Sequence, residues 1–169
     1  MTDNSAPFTP PTAPPLPPVT PVAEGEHPLS LPYYGVGPVT AVKRFFQNYA
    51  VGAGRASRAE YWWTVLAFYA VLLVLGILTA VVGSATQTVD AYGQYQQSGL
   101  ILVFVIPIVV ITLGSLVPFV ALSVRRLHDA NLSGFFYFLN FIPSVGNLIM
   151  LILAVLPPQP EGARFDGPR

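Results

Sequence analysis

Two stretches of this chain carry almost no charge, and they decide what it can fold into. From Tyr61 to Val124 the single formal charge is Asp90, and from Ala130 to Pro160 there is none. Charged residues make up 9% of the chain and hydrophobic residues 53%, against roughly 25% charged in a soluble domain. A surface facing water cannot be covered with so few charges, whereas one facing hydrocarbon needs none. The expectation is an all-α integral membrane protein of one membrane domain, residues 39–156, between a proline-rich tail (1–38) and a polar C-terminal tail (157–169).

Three apolar runs are long enough to be read as transmembrane helices, at about 61–83, 100–124 and 135–156. Trp62 to Gly83 is 22 residues, or about 33 Å at roughly 1.5 Å per residue, against a hydrocarbon core of roughly 30 Å. Ser57 and Glu60 form an S-x-x-E capping box ahead of it, each side chain satisfying a free N–H at the helix start. Tyr61, Trp62 and Trp63 stand where amphipathic rings favour the membrane interface. The second run contains Pro107, Gly114 and Pro118, which kink a helix unless neighbours satisfy the freed carbonyls. The third carries Asn140, Pro143, Ser144, Gly146 and Asn147 in its middle. It reads either as one helix broken near Pro143 or as two half-helices in a shallow re-entrant hairpin, and the broken span is preferred. The architecture expected is a small bundle of three transmembrane helices.

Before the first span, Val39, Val42, Phe45, Phe46 and Tyr49 fall on one side of a short helix, about 39–50, with Lys43, Arg44, Gln47 and Asn48 elsewhere. That is an interfacial amphipathic helix with its basic side toward anionic headgroups. Residues 1–38 hold 11 of the 18 prolines and are expected to be disordered, with polyproline II character. Segments such as PFTPPTAPPLPP fit a PxxP-binding partner, or a solvated spacer.

Lysines and arginines are retained on the cytoplasmic side. Lys43, Arg44, Arg55 and Arg58 precede the first span, Ser84–Gly99 has no lysine or arginine, and Arg125 and Arg126 follow the second span. The N-terminus and RRLHD are therefore expected inside, with Ser84–Gly99 outside. A fully spanning third run puts Arg164 and Arg169 outside, against that preference, and this favours the hairpin. RRLHD reads as a short cytoplasmic turn, with Asp129 or Asn131 capping the helix that enters at Ser133.

GRASRAEYWW (Gly54 to Trp63), a span ending in RRLHDANLSGFF, a segment carrying IPSVGN and the close EGARFDGPR together resemble the bacterial membrane proteins of domain-of-unknown-function family 805, the YhaH-like inner membrane proteins. The likeness covers about Val42 to Pro168. The family's GR, R and EYW are matched by Gly54, Arg55, Arg58, Glu60, Tyr61 and Trp62. Its usual NRFG-like close stands here as ARFDG. The resemblance implies a multi-pass protein of the bacterial plasma (inner) membrane and no established activity.

The leading functional expectation is a non-enzymatic membrane component. Its cytoplasm-facing cluster, Arg55, Arg58, Glu60, Arg125, Arg126, His128 and Asp129, organises the bundle and engages anionic lipid or a protein partner. The alternative is a small transporter or channel component, with Asn140, Ser144 and Asn147 as a polar intramembrane face at i, i+4 and i+7. An enzyme is the least supported reading. His128 and Asp129 suit a base and its orienter, but no serine stands out as nucleophile. With no cysteine and only His27 besides His128, no metal or cofactor site is expected. Zero net charge gives no reason to expect nucleic acid. Gly76, Ala80 and Ser84 repeat at small-xxx-small spacing, a close-packing face for the bundle or for a homo-oligomer.

Overall fold

The structure is a computed structural model that describes residues 27–143 and 145–166. The proline-rich stretch through residue 26, with its expected PxxP partner, and Ser144 lie outside the described residues. A short helix α1 (Pro38–Gln47) leads into a long helix α2 (Arg58–Ala85). A two-stranded antiparallel hairpin, β1 (Thr88–Val89) and β2 (Tyr95–Gln96), follows, and then the long helix α3 (Leu102–Asp129). The chain continues as a 3-10 helix over Gly134–Phe141, a helix α4 (Gly146–Val155) and a closing 3-10 turn over Pro160–Phe165.

Each long helix has 28 residues, about 42 Å at roughly 1.5 Å per residue, and both are long and apolar enough to cross a membrane. In the most apolar stretch of α2 no residue is buried, and in that of α3 only 6% are. Leu66, Leu73 and Ile77 on α2, and Ile106, Val110 and Leu113 on α3, all face outward. A core helix of a soluble protein turns such residues inward, so these helices are built for an apolar solvent. The Gly76, Ala80 and Ser84 stripe also faces outward, and a Cβ at Gly76 meets nothing within 4 Å. The stripe does not pack this bundle.

α2 begins with the expected capping box. Ser57 Oγ accepts from the Glu60 amide (3.1 Å) and Glu60 Oε2 from the Ser57 amide (2.9 Å). α3 runs on through both of its prolines. Pro118 has no N–H for the Gly114 carbonyl one turn back, and the Tyr49 hydroxyl donates to that carbonyl instead, at 2.6 Å. The connection between the long helices is closed by Asp90, whose carboxylate accepts from the Tyr92 and Gln94 amides.

Three expectations change. RRLHD is not a turn but the last part of α3, so Arg126 and Asp129 lie at i and i+3 on one face. The helix stops one residue later. Asn131 adopts φ 58°, its amide bonds to the His128 carbonyl and the Leu132 amide to the Leu127 carbonyl, which closes the end with a left-handed residue. Ser133, rather than Asp129 or Asn131, caps the following helix, its hydroxyl accepting from Phe135 N.

The expected third span is the second change. Its start lies against α3, where a Cβ at Gly134 would meet Val124 and His128. Its end lies there too, because the Arg126 guanidinium bonds the carbonyls of Ala154 and Leu156. Both ends sit at the same end of α3, so Gly134–Val155 goes out and comes back. Eight residues of 3-10 helix and ten of α4 reach about 16 and 15 Å, matched arms near half a hydrocarbon thickness. Their crossing point is Gly146, where a Cβ would stand 2.2 Å from the Leu139 carbonyl oxygen. Only glycine allows the arms to close.

The third change concerns residues 27–37, grouped by composition with the disordered tail. They form a strap over the start of α2, with His27 stacked on Tyr33 (4.6 Å) and Val36 buried. The apolar core beneath is small: Phe45, Ala56 and Leu122, flanked by Tyr61 and Phe119. What fills the rest of this end is charge.

Candidate functional site

Glu60 is 1% exposed and Asp129 0%, and the arginines around them, Arg44, Arg125 and Arg126, are 4%, 1% and 1% exposed. Buried charges are tolerated only when paired and hydrogen-bonded throughout. The two carboxylates do this as two linked centres.

Glu60 sits in the first turn of α2, held there by the capping box. Its Oε1 receives the Arg44 Nε at 2.5 Å and has Arg125 Nη2 at 3.8 Å. Its Oε2 accepts from the amides of Ser57 and Tyr33. One side chain thus caps its own helix, ties α1 to α2 and holds the strap. Arg44 spends its remaining donors on the carbonyls of His27, Pro28 and Leu31. Arg125 reaches the carbonyls of Leu29 and Arg55. These planar forks hold chain segments as well as charges.

Asp129 is the second centre. Its Oδ2 pairs with Arg126 Nη1 at 2.8 Å, while Oδ1 accepts from the Tyr34 hydroxyl at 2.8 Å and has Arg55 Nη1 at 4.0 Å. Desolvation and then the bond to Asp129 push the Tyr34 phenol up to about 12, so it stays a donor. Arg126 also binds the last carbonyls of α4, which no intrahelical N–H can reach. That positive group at a helix C-terminus is favourable.

The C-terminal turn closes the site. Arg55 clasps Asp166 through two bonds, 2.8 and 2.5 Å, and the bond to Asp166 raises its already high basicity further. Phe165 lies flat on the His128 ring, 4.0 Å between centroids and 4° apart. The Phe165 carbonyl accepts from Gly54 N, and the Gly54 carbonyl faces His128 Nδ1 at 3.1 Å. Gly54 has φ +84°, and a Cβ there would stand 2.4 Å from the Ser30 carbonyl oxygen, so glycine is obligatory. His128 is thereby engaged in holding the tail rather than aimed at an open cleft.

Of the residues singled out from the sequence, Arg55, Glu60, Arg125, Arg126, His128 and Asp129 meet here. Arg58 does not. It is exposed, on a surface groove of α2 with Trp62, Trp63 and Leu66. Asn140 and Asn147 lie on opposite arms of the hairpin and line one cavity of roughly 460 Å³ between it, α2 and α3. Four contributors went unrecognised: Tyr34, Arg44, Phe165 and Asp166. Arg44, expected on the basic side of α1 toward anionic headgroups, is buried: Ala41, Arg44 and Phe45, with Asn48 just past the helix end, form the buried face, and Val39 and Phe46 are exposed. That i, i+3, i+4, i+7 stripe was visible, but burying an arginine needs the distant Glu60.

Comparison with known proteins finds membrane proteins. The family described as "Protein of unknown function (DUF805)" matches residues 49–167, from the end of α1 to the C-terminal turn. The inner membrane protein YhaI of Escherichia coli (strain K12) is 32% identical over 106 residues, covering 63% of this chain and 75% of that protein. The inner membrane protein YhaH of the same organism is 32% identical over 122 residues, covering 72% and 89%. No solved structure matches the chain. The matched span includes both long apolar helices, RRLHD and the ARFDG close, and on that extent the chain belongs to the DUF805 family of inner membrane proteins.

Proposed function

We propose that the chain is a non-enzymatic, multi-pass component of the bacterial inner membrane whose charged face is cytoplasmic and docks on anionic headgroups. The observation that carries this reading is the division of the cations. Arg44, Arg55, Arg125 and Arg126 are committed to Glu60, Asp129, Asp166 and backbone carbonyls. Lys43, Arg58 and Arg164 stand exposed at the same end of the molecule. With the hairpin returning to that end, every lysine and arginine among the described residues lies there and none near β1–β2. This distribution favours the positive end inside. On this reading α2 and α3 span, the hairpin enters from the cytoplasmic leaflet, and α1 lies at the headgroup level with Val39 and Phe46 toward lipid.

A cation near an anionic membrane surface contributes about 1 kcal/mol. The triple variant Lys43→Gln, Arg58→Gln, Arg164→Gln is therefore expected to lose at least tenfold in preference for phosphatidylglycerol over phosphatidylcholine. Quenching of Trp62 and Trp63 by brominated versions of each lipid reads that preference in mixed micelles. Equal quenching of the unmodified protein by the two lipids contradicts the headgroup reading.

A further inference from the structure

The cavity between the hairpin and the long helices belongs to neither the charge network nor the basic rim. Its walls come from α2 (Tyr61, Trp62, Phe68), α3 (Phe119, Ser123), the 3-10 arm (Tyr137, Asn140) and α4 (Asn147, Met150). Apolar and aromatic surface with a few convergent polar groups, in a volume of roughly 460 Å³, is the usual composition of a small-molecule site. Tyr69 and Leu151, both exposed, stand at its rim. They belong to the outward, apolar surfaces of α2 and α4, so the mouth opens sideways toward lipid.

Several of its polar groups have no hydrogen-bond partner among the described residues. The Tyr61 and Ser123 hydroxyls lie close enough to interact with each other. The side-chain amides of Asn140 and Asn147 make no hydrogen bond among the described residues, and neither does the Tyr137 hydroxyl. Asn140 is half-buried and Asn147 exposed, and these two amides from opposite arms converge on one space, where hydrocarbon outside the bundle offers them no partner. No Asp, Glu, Lys, Arg or His lines the cavity. The nearest cation of the network, Arg126, is occupied by Asp129 and the carbonyls of Ala154 and Leu156. A phosphate that passes beyond Arg58, one turn before Trp62, into the cavity loses its water and meets no counter-charge in the lining.

From this we infer that the cavity is a binding site for an uncharged lipid whose head carries carbonyl or hydroxyl oxygens, entering from the bilayer. The amide N–H groups of Asn140 and Asn147 and the Tyr137 hydroxyl donate to the head. Phe68, Phe119 and Met150 cover its apolar part. Two kinds of membrane lipid carry such a head, a quinone and a diacylglycerol. The inference is separate from the headgroup reading, because it concerns a ligand without charge and a cavity with no charged residue in its lining, although Trp62 borders both this cavity and the groove that holds Arg58.

Trp62 lines the cavity and Trp63 does not, which supplies a paired reporter. Full-length protein carrying Trp63→Phe, in neutral detergent, is titrated with a short-chain benzoquinone, a brominated short-chain diacylglycerol or brominated phosphatidylglycerol of equal chain length. The expected result is saturable quenching of Trp62 by at least one neutral ligand, at least tenfold tighter than by phosphatidylglycerol. Which neutral ligand saturates identifies the head. The Trp62→Phe protein, reporting from Trp63, shows only linear quenching by the two neutral ligands. Asn140→Leu weakens the neutral ligand at least tenfold. Leu151→Phe, which narrows the mouth and leaves every polar group in place, weakens it as well, with unchanged elution and melting as the folding control. Linear quenching by both neutral ligands, saturation by phosphatidylglycerol that is equal or tighter, or indifference to both variants overturns the inference.

Discussion

Glu60→Ala is expected to cost the folded protein about 3–5 kcal/mol, the range for removing one partner of a buried ion pair. The physical reason is what remains. Arg44 and Arg125 are left at the same point with no carboxylate between them, and the amides of Ser57 and Tyr33 lose their acceptor. The loss of the capping box adds to this. The damage has a location: the strap 27–37 and α1 are held through Glu60 and Arg44, so amide exchange rises there first. Glu60→Gln keeps the shape and the cap but not the charge, and falls between the native protein and alanine. Adding Arg44→Met to Glu60→Gln returns part of the loss, because one stranded cation is removed with the anion. Unfolding in mixed micelles, followed by Trp62 and Trp63 fluorescence, measures all three.

Asp129→Ala is expected to cost a similar amount, about 3–5 kcal/mol, and to loosen a different part of the molecule. Asp129 neutralises Arg126, receives the Tyr34 hydroxyl and lies 4.0 Å from Arg55. Its backbone carbonyl also accepts from Gln159 N, a bond that the substitution leaves in place. Without the carboxylate, Arg126 is a buried unpaired cation beside the end of α4, and the hairpin end and C-terminal turn open together. Protease cleavage after residue 156 and amide exchange in α4 therefore rise, and Tyr34 is released, while residues 27–33 of the strap, held by Glu60 and Arg44, stay protected. If the two variants loosen the same segment, the network is a single diffuse cluster rather than two centres.

Much of this was legible from local signals. The capping box is four residues long, and Ser57 and Glu60 perform it as read. The apolar runs mark α2 and α3 to within a few residues at most ends, because helix length and hydropathy are properties of one segment. Pro118 announced a freed carbonyl, although Tyr49 as its donor is 65 residues from Gly114. What escaped reading depends on partners far apart in sequence. Arg44 is a lipid-facing cation by composition and a core residue by virtue of Glu60. ARFDG departs from the family's usual close, yet Phe165 and Asp166 contact His128 and Arg55, the latter 111 residues away. By sequence Arg126 is a positive-inside marker, and its bonds to Ala154 and Leu156 hold the end of the third run back against α3. Hydropathy alone cannot distinguish 22 apolar residues that cross from two arms that return. The count of cations on each side could, since only the hairpin leaves Arg164 with the others.

On the proposed reading the charged end of the bundle, with the C-terminal turn folded back onto RRLHD, faces the cytoplasm. The chain has no cysteine, so single cysteines at Thr40, Tyr92 and Ala163, all exposed, can be labelled in intact cells with a membrane-impermeant maleimide. Position 92 is expected to react from outside, and positions 40 and 163 only after the membrane is opened. Labelling of position 163 from outside in intact cells contradicts that reading.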